Sequence, residues 1–395
     1  MLDSDLTALY ERLRREHGPV APVAIAPGVE AWLVLGHREL LQLVRDEETF
    51  SHDPRRWRPL REGRVATGSP LMPFVGWRPA VLFADGRQHR RMRGAVADAL
   101  ARVDGHELVR SVRAAAERLV ASFADRHEVD LVAGYARVLP LEVVTRLLGL
   151  GEAEGARVVE AVVGAAGATA AAAEANRLMT GILRDLVAAK KRRPGADVTS
   201  WLLAHPAGFT DDEVLHNLVV LAMTGHTTTL NWITSTLRVL LTDPAFRSSL
   251  TRGHLTADDA LDLVLWRYPP TANIPGRYAT RDVRFGGRAI RAGDMLIMGV
   301  AGANADAEAL PEDGRPVVGN RSHLSFGAGP HACPARDPAR LITRTAVDTV
   351  LHRLPDMEIA VPEDELVWVA SPWTKTLARL PVRFSAPLLS ADPPA

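Results

Sequence analysis

Apolar residues recur at helical spacing along much of the chain. At the amino terminus Leu6, Leu9, Tyr10 and Leu13 line one face of an otherwise polar segment, which predicts a surface helix with a single apolar stripe. Pro19-Val-Ala-Pro and Ala31-Trp-Leu-Val-Leu flank Pro27-Gly28, and this predicts a hairpin over 19–36. Residues 37–50 return to a helical pattern. Residues 51–83 are rich in Pro, Gly, Arg and Trp and have no period, as in a loop long enough to carry function. From Asp85 to about Leu241 Ala and Leu dominate, predicting successive helices with breaks near Gly105, Gly149, Gly155, Pro194 and Pro206. The alanine-rich stretch 156–190 favours helix but packs weakly, so mobile helices are expected there. After Pro269-Pro270 the period shortens to that of strands over 277–300. An irregular stretch, 301–332, is followed by a helix from about Pro338 to Leu354. The tail reads as a hairpin-like segment ending in a disordered Ser390–Ala395.

The predicted class is therefore mainly α with a small β part. The β-rich portions fall near 19–36, 275–300 and 358–385, and the helical core at 85–270 and 338–354. The expected organisation is one domain over 1–388 with a tail at 389–395. The 395 residues, 47% of them hydrophobic, suffice for a large core. Lys plus Arg and Asp plus Glu both number 47, so no global field draws the protein to nucleic acid or to an anionic membrane. The polar amino terminus lacks the apolar core of a signal peptide, and no run of about 18 apolar residues is present. A cytoplasmic protein is the simplest expectation. The single cysteine excludes an intramolecular disulfide and any multi-cysteine metal site.

That cysteine lies in Ser325-Phe-Gly-Ala-Gly-Pro-His-Ala-Cys333-Pro-Ala-Arg-Asp-Pro-Ala-Arg340. Two glycines around Ala328 permit a sharp loop, and a helix is predicted to open just after Cys333. A helix amino terminus favours a thiolate, the form that ligates metal. Taken alone, a lone cysteine is more often a small buried hydrophobe. Gly327-X-Gly329 is no dinucleotide fingerprint, because the third glycine and the strand-turn-helix unit are missing. A zinc site built from Cys333, His331 and His323 lacks standard ligand spacing.

The run Phe326-Gly327-X-Gly329-X-His331-X-Cys333 resembles the haem-binding signature of the cytochrome P-450 family, a long and specific motif. The resemblance extends over roughly Leu6 to Phe384. It implies a triangular helical prism, with haem between a long central helix and the cysteine-loop helix. It implies heme b (iron protoporphyrin IX) with Cys333 as metal ligand, Phe326 and Gly327 in the cofactor loop, and His331 on a haem propionate. His89 and Arg93 share a helix face and resemble the family's propionate-binding pair. Arg277, in Pro275-Gly-Arg-Tyr-Ala-Thr280, resembles the third anchor, a role suited to a bidentate guanidinium. Arg87, Arg90, Arg91, Arg336 and Arg344 are expected to border the proximal face, where an acidic ferredoxin would dock. Pro334 departs from the pattern. It has no N–H to offer the sulfur, which predicts a more electron-rich thiolate and a lower iron potential. Ala335 replaces a family glycine.

A long helix is expected over 211–241, with Thr224-Gly225-His226-Thr227-Thr228-Thr229 at its centre. Polar groups buried there are costly unless used, and the Gly/Thr content predicts local widening. By resemblance, Thr228 takes the place of the oxygen-activating threonine and Thr227 that of the usual acid. Proton delivery then falls to hydroxyls, water, His226 or the substrate. In Val264-Leu-Trp-Arg267 the family's glutamate is replaced by Val264. Arg267 is expected to be buried and to need another carboxylate, with Asp262, Glu312 and Asp313 as candidates. Asn304-Ala305-Asp306 resembles a family motif without its arginine.

By family position the substrate pocket draws on loop 56–83 (Trp57, Met72, Phe74, Trp77), helices 160–185, Val219 to Met223, residues 271–275 and Pro372-Trp373-Thr374. The implied function is O2-dependent hydroxylation of a small-molecule or peptide natural product in bacterial secondary metabolism. Electrons would come from NAD(P)H through a ferredoxin and its reductase. No nucleic-acid or membrane partner is expected, and the protein is expected to be a monomer. Oxidative aromatic coupling of a peptide and a non-catalytic haem sensor are the alternatives, both raised by the missing acid.

Overall fold

A computed structural model describes residues 6–66, 68–164, 169–310, 319–369 and 371–385. The chain divides into two compact units. Among the described residues no helix is long and apolar enough to cross a membrane.

The first unit combines residues 1–93, 262–333 and 370–375. Its amino-terminal helix, Leu6–His17, buries Tyr10 on the predicted stripe. Tyr10 Oη donates to Asn273 Oδ1 at 3.1 Å, and burial raises the phenol pKa to about 12. The hairpin forms as expected from Val20–Ala26 and Val29–Val34, with Gly28 at φ +71° in the turn. Its second strand pairs in parallel with Met295–Met298. That strand pairs antiparallel with Ile274–Ala279, which in turn meets Phe50–Ser51. The helix expected over 37–50 ends at Arg45, and Asp46 accepts the Thr49 N–H at 2.9 Å to turn the chain into the edge strand. Apolar side chains cover both sheet faces. Tyr10, Trp57, Tyr278 and Ile297 pack on one side, and Leu40, Leu43, Phe50 and Leu296 on the other. The aperiodic stretch 51–83 contains four short helical turns, Pro54–Arg56, Arg58–Arg61, Met72–Val75 and Val81–Phe83. The stretch expected to be irregular over 301–332 opens with a short helix, Val300–Asn304.

The second unit combines residues 94–261, 334–369 and 376–395 and is largely helical. Asp211–Thr242 starts at a capping box, with Thr210 Oγ1 on the Glu213 N–H and the Glu213 carboxylate on the Thr210 N–H. It packs against Leu139–Leu148, Thr169–Arg192 and Arg336–Arg353. Leu141, Leu183, Leu202, Leu215 and Leu218 are among the residues of that core. Gly149 ends one helix with φ +93°, as a left-handed cap. Gly155 is not a break, because Glu152–Gly164 runs through it. Residues 165–168, in the alanine-rich stretch, lie outside the described residues, as do Ser390–Ala395. The carboxy-terminal strands pair Pro381–Arg383 with Glu128–Asp130 and Glu358–Ile359, and Trp368–Val369 with Thr376–Leu377.

Candidate active site

The cysteine loop is built on its glycines. Gly327 and Gly329 both sit at φ +68°. A Cβ on Gly329 would lie 2.7 Å from the Val44 carbonyl oxygen, so backbone conformation and close approach both demand glycine. The Leu324 carbonyl accepts the Gly327 N–H at 2.8 Å, and the Phe326 carbonyl accepts the Cys333 N–H at 2.8 Å. These bonds close the turn and hold Cys333 half-buried at its end. Arg93 lies close by. Burial lowers its pKa and the charge of an ionised Cys333 opposes that shift, so the guanidinium and the thiolate favour each other's charged forms. The helix that follows starts at Arg336, two residues before the predicted Pro338. Pro338 falls in its first turn, where a missing N–H costs nothing.

Three imidazoles stack beside this loop. His331 has its ring centroid 3.6 Å from His52 and 3.7 Å from His89. His89 comes from the helix Gly86–Ala101, and His52 follows the edge strand. His52 Nε2, both ring nitrogens of His89, His331 Nε2 and Arg277 Nε are buried without a hydrogen bond. Arg277 is 1% exposed, and its Nη1 reaches only the Phe50 carbonyl, at 3.5 Å. Burial drives the His52 and His331 pKa values far below 6.5 and that of His89 to about 4; neighbouring cations add to each shift. Burial also lowers Arg277 to about 10, which leaves it charged at neutral pH. Glu47 Oε1 stands 3.2 Å from His331 Nε2 and 3.7 Å from His89 Nδ1. Burial, with Asp85 adding, pushes the Glu47 carboxyl up toward its neutral form. Asp85 accepts the His52 N–H at 2.9 Å and the Ser51 hydroxyl, which fixes the turn carrying His52.

The ligand atoms of Glu47, His89 and His331 lie within 4.8 Å of one another, a spacing a metal ion would accept. The electrostatics favour an anion instead. Arg277 and Arg93 act on the histidines and Arg277 and Arg90 on Glu47, so a cation would meet their repulsion. Each buried donor left unmade costs about 1–3 kcal/mol. A carboxylate-bearing ligand would satisfy several at once. The sequence singled out His89, Arg93, Arg277 and His331 and missed Glu47, His52 and Asp85. A histidine next to a short strand carries no sequence signal; only the fold stacks it on His331.

The long helix stays α-helical from Asp211 to Thr242, so the widening expected at its centre is absent. A π-turn forms instead at Val132–Ala136. Two of the threonines bond back along the helix. Thr224 Oγ1 donates to the Val220 carbonyl at 2.6 Å, and Thr228 Oγ1 to the Thr224 carbonyl at 2.8 Å. His226 points elsewhere, its Nε2 2.8 Å from the Arg137 carbonyl, and burial lowers its pKa. Gly225 faces Val144, whose Cγ2 would lie 3.3 Å from an added Cβ, so a small residue sets the closeness of that helix crossing. Met223 is 40% exposed and Thr224 is exposed, with Thr227 and Thr228 half-buried, whereas Thr229 to Leu240 are buried. The helix thus opens one polar face at its middle.

Arg267 is exposed and Val264 buried, so the expectation of a buried arginine seeking a carboxylate is corrected. Asp262, 2% exposed, accepts Arg321 Nε at 2.9 Å and lies 3.7 Å from His323 Nε2. Glu312 and Asp313 lie outside the described residues. Buried Asn304 completes the brace. Its Nδ2 donates to the Leu265 carbonyl at 3.1 Å and to Ser325 Oγ at 3.2 Å, and its Oδ1 accepts the Leu324 N–H at 2.8 Å. Among the loop aromatics, Trp57 is fully buried against Tyr278 and acts as a staple. Phe74 and Trp77 are exposed, the first 5.4 Å from Trp373 and the second beneath Arg55 at 4.4 Å. Arg87, Arg90, Arg336 and Arg344 are exposed, with Arg344 held by Asp258 at 2.9 Å.

No family model matches the sequence. Similar proteins nevertheless span nearly the whole chain. A 2-hydroxy-5-methyl-1-naphthoate 7-hydroxylase of Streptomyces carzinostaticus is 31% identical, covering 94% of this chain and 93% of its own. The cytochrome P450 monooxygenase PikC of Streptomyces venezuelae is also 31% identical, covering 95% and 90%. The solved structure of CYP154C4 from Streptomyces sp. W2061 superposes with a TM-score of 0.87 at 27% identity, over 98% of this chain and 97% of its own. A shared helical fold and near-complete overlap agree: the chain belongs to the cytochrome P450 family, whose members are haem-iron monooxygenases.

Proposed function

We propose that Cys333 ligates the iron of heme b and that the enzyme hydroxylates a small-molecule natural product with O2. The observation that carries the proposal is the Cys333 turn, which the Phe326 carbonyl closes beside Arg93. The buried polar groups fit the cofactor, because two porphyrin carboxylates suit a cluster of imidazoles whose nitrogens lack hydrogen bonds and a buried guanidinium. His89, Arg93, Arg277 and His331 would hold them, with Phe326 and Gly327 shaping the loop. The cofactor, when bound, supplies thiolate-assisted O–O cleavage.

The chain's own contribution is binding, orientation and proton handling. With its hydrogen committed to the Thr224 carbonyl, Thr228 Oγ1 keeps its lone pairs on the open face of the helix. There it can accept a hydrogen bond from water and hold that water in place for proton delivery. Thr227 adds a second hydroxyl where a carboxylate is usual. His226 is held by the Arg137 carbonyl and acts in positioning the Gly225 helix crossing. Electrons would enter from NAD(P)H through a ferredoxin and its reductase.

The absent carboxylate also suits oxidative coupling, in which hydrogen abstraction ends the reaction. Relatives named as hydroxylase and monooxygenase support hydroxylation over that reading. The decisive experiment is a reduced carbon monoxide difference spectrum of the purified protein and of Cys333→Ser. The native protein should give the Soret band of thiolate-ligated haem and the variant should lose it. An unaltered haem spectrum in Cys333→Ser would overturn the proposal.

A further inference from the structure

We propose that His52 is an additional haem-contacting residue, placed by its stack on His331 to serve the anionic edge of the cofactor. The inference rests on the haem reading above and extends it to a residue outside the motifs that led there. Three observations carry it. His52 is 5% exposed, yet its Nε2 has no hydrogen bond. A histidine kept for packing alone would be expected to find a partner for that nitrogen or to be replaced by an apolar ring. Its imidazole lies 3.6 Å from His331, with the planes 26° apart, and His331 continues the stack to His89 at 3.7 Å. The unsatisfied nitrogens of all three rings therefore belong to one cluster, which also contains the buried Arg277.

The position of His52 is fixed from the backbone. Asp85 accepts its N–H at 2.9 Å, and Asp53 caps the next turn through the Arg55 N–H at 3.0 Å. The ring is thus preorganised, and a ligand carboxylate would meet it at little entropic cost. Glu47 faces His331 and His89, and Asp85 is engaged by the His52 N–H and the Ser51 hydroxyl, so among the described residues His52 Nε2 is left without a hydrogen bond. A porphyrin carboxylate supplies the acceptor that the chain does not.

The test uses the haem-loaded protein. Haem release to an excess of apomyoglobin is timed for the native protein, His52→Phe and His52→Gln, with the reduction potential measured on each. Phenylalanine keeps the stacked ring and removes both nitrogens, whereas glutamine keeps a donor. Loss of one hydrogen bond to a charged acceptor corresponds to about tenfold faster release in His52→Phe, with a shifted potential. His52→Gln should lie closer to the native rate. Equal release rates and potentials in native protein and His52→Phe would overturn the assignment, as would an equal acceleration in both variants with unchanged potentials, the mark of lost packing. Either result leaves the haem reading standing, because that reading fails only if the native protein binds no thiolate-ligated haem.

Discussion

His226 is buried and hydrogen-bonded, and its pKa in the fold lies below the ordinary 6.5. Between those two values the unfolded chain binds the proton and the folded chain does not. The contribution of His226 is therefore fully present above about pH 6.5 and is lost as pH falls from there toward the folded value, at up to about 1.4 kcal/mol per pH unit. His226→Gln should flatten the acid side of the stability curve relative to native protein, measured by urea melts from pH 7 to pH 5. An unchanged slope would show that the imidazole is not held neutral. Residue by residue, the sequence was most legible where chemistry is local. Cys333 and its glycines lie within a few positions of one another, and φ constraints leave few substitutes. His52 and Glu47 were illegible, because their meaning depends on a loop nearly three hundred residues away. Thr228 was legible as a polar residue in an apolar helix, but its hydroxyl bond changes no helical hydrogen bonding, so the widening expected from composition does not occur.

Elements matter most in the brace between the helix Ala257–Arg267 and the cysteine loop. The usual glutamate–arginine pair is not rebuilt around Arg267, which faces solvent. Asp262 lies two residues before Val264 and pairs with Arg321 instead, beside His323. Arg321 is 58% exposed, so solvent screens this pair and it is worth less than a fully buried one. Asp262→Asn should cost up to about 1 kcal/mol in thermal unfolding and lower the haem content of the purified protein. Retained stability with full haem content would place the brace in Asn304 and Ser325 alone. The sequence offered Asp262 as a candidate partner but for the wrong arginine. Which side chains on a helix face the protein is settled by packing, and an arginine keeps its long apolar stem useful at the surface.

At the scale of the molecule the unpaired donors become a statement about cofactor-linked stability. A ligand that binds only the folded state stabilises it by RT ln(1 + [L]/Kd), about 4 kcal/mol at a thousandfold excess over Kd. Calorimetry should therefore show extracted protein melting well below the reconstituted form, with the difference growing as haem is added. Identical melting temperatures would mean that the imidazole–arginine cluster is not where the cofactor's charge is received. Fold class was legible at this scale because helical and strand periods are strong over long segments. Assembly of the sheet was not, because its strands come from opposite ends of the chain.

That sheet sets a schedule for synthesis. Trp32 Nε1 hydrogen-bonds Asp294 across 262 residues, and Tyr10 reaches Asn273 across 263. At about 5–20 residues per second, the first hairpin leaves the ribosome roughly 13–50 s before its parallel neighbour exists. Throughout that interval the nascent chain carries the unpaired edge of Val29–Val34, and the cysteine loop that completes the same unit is translated later still.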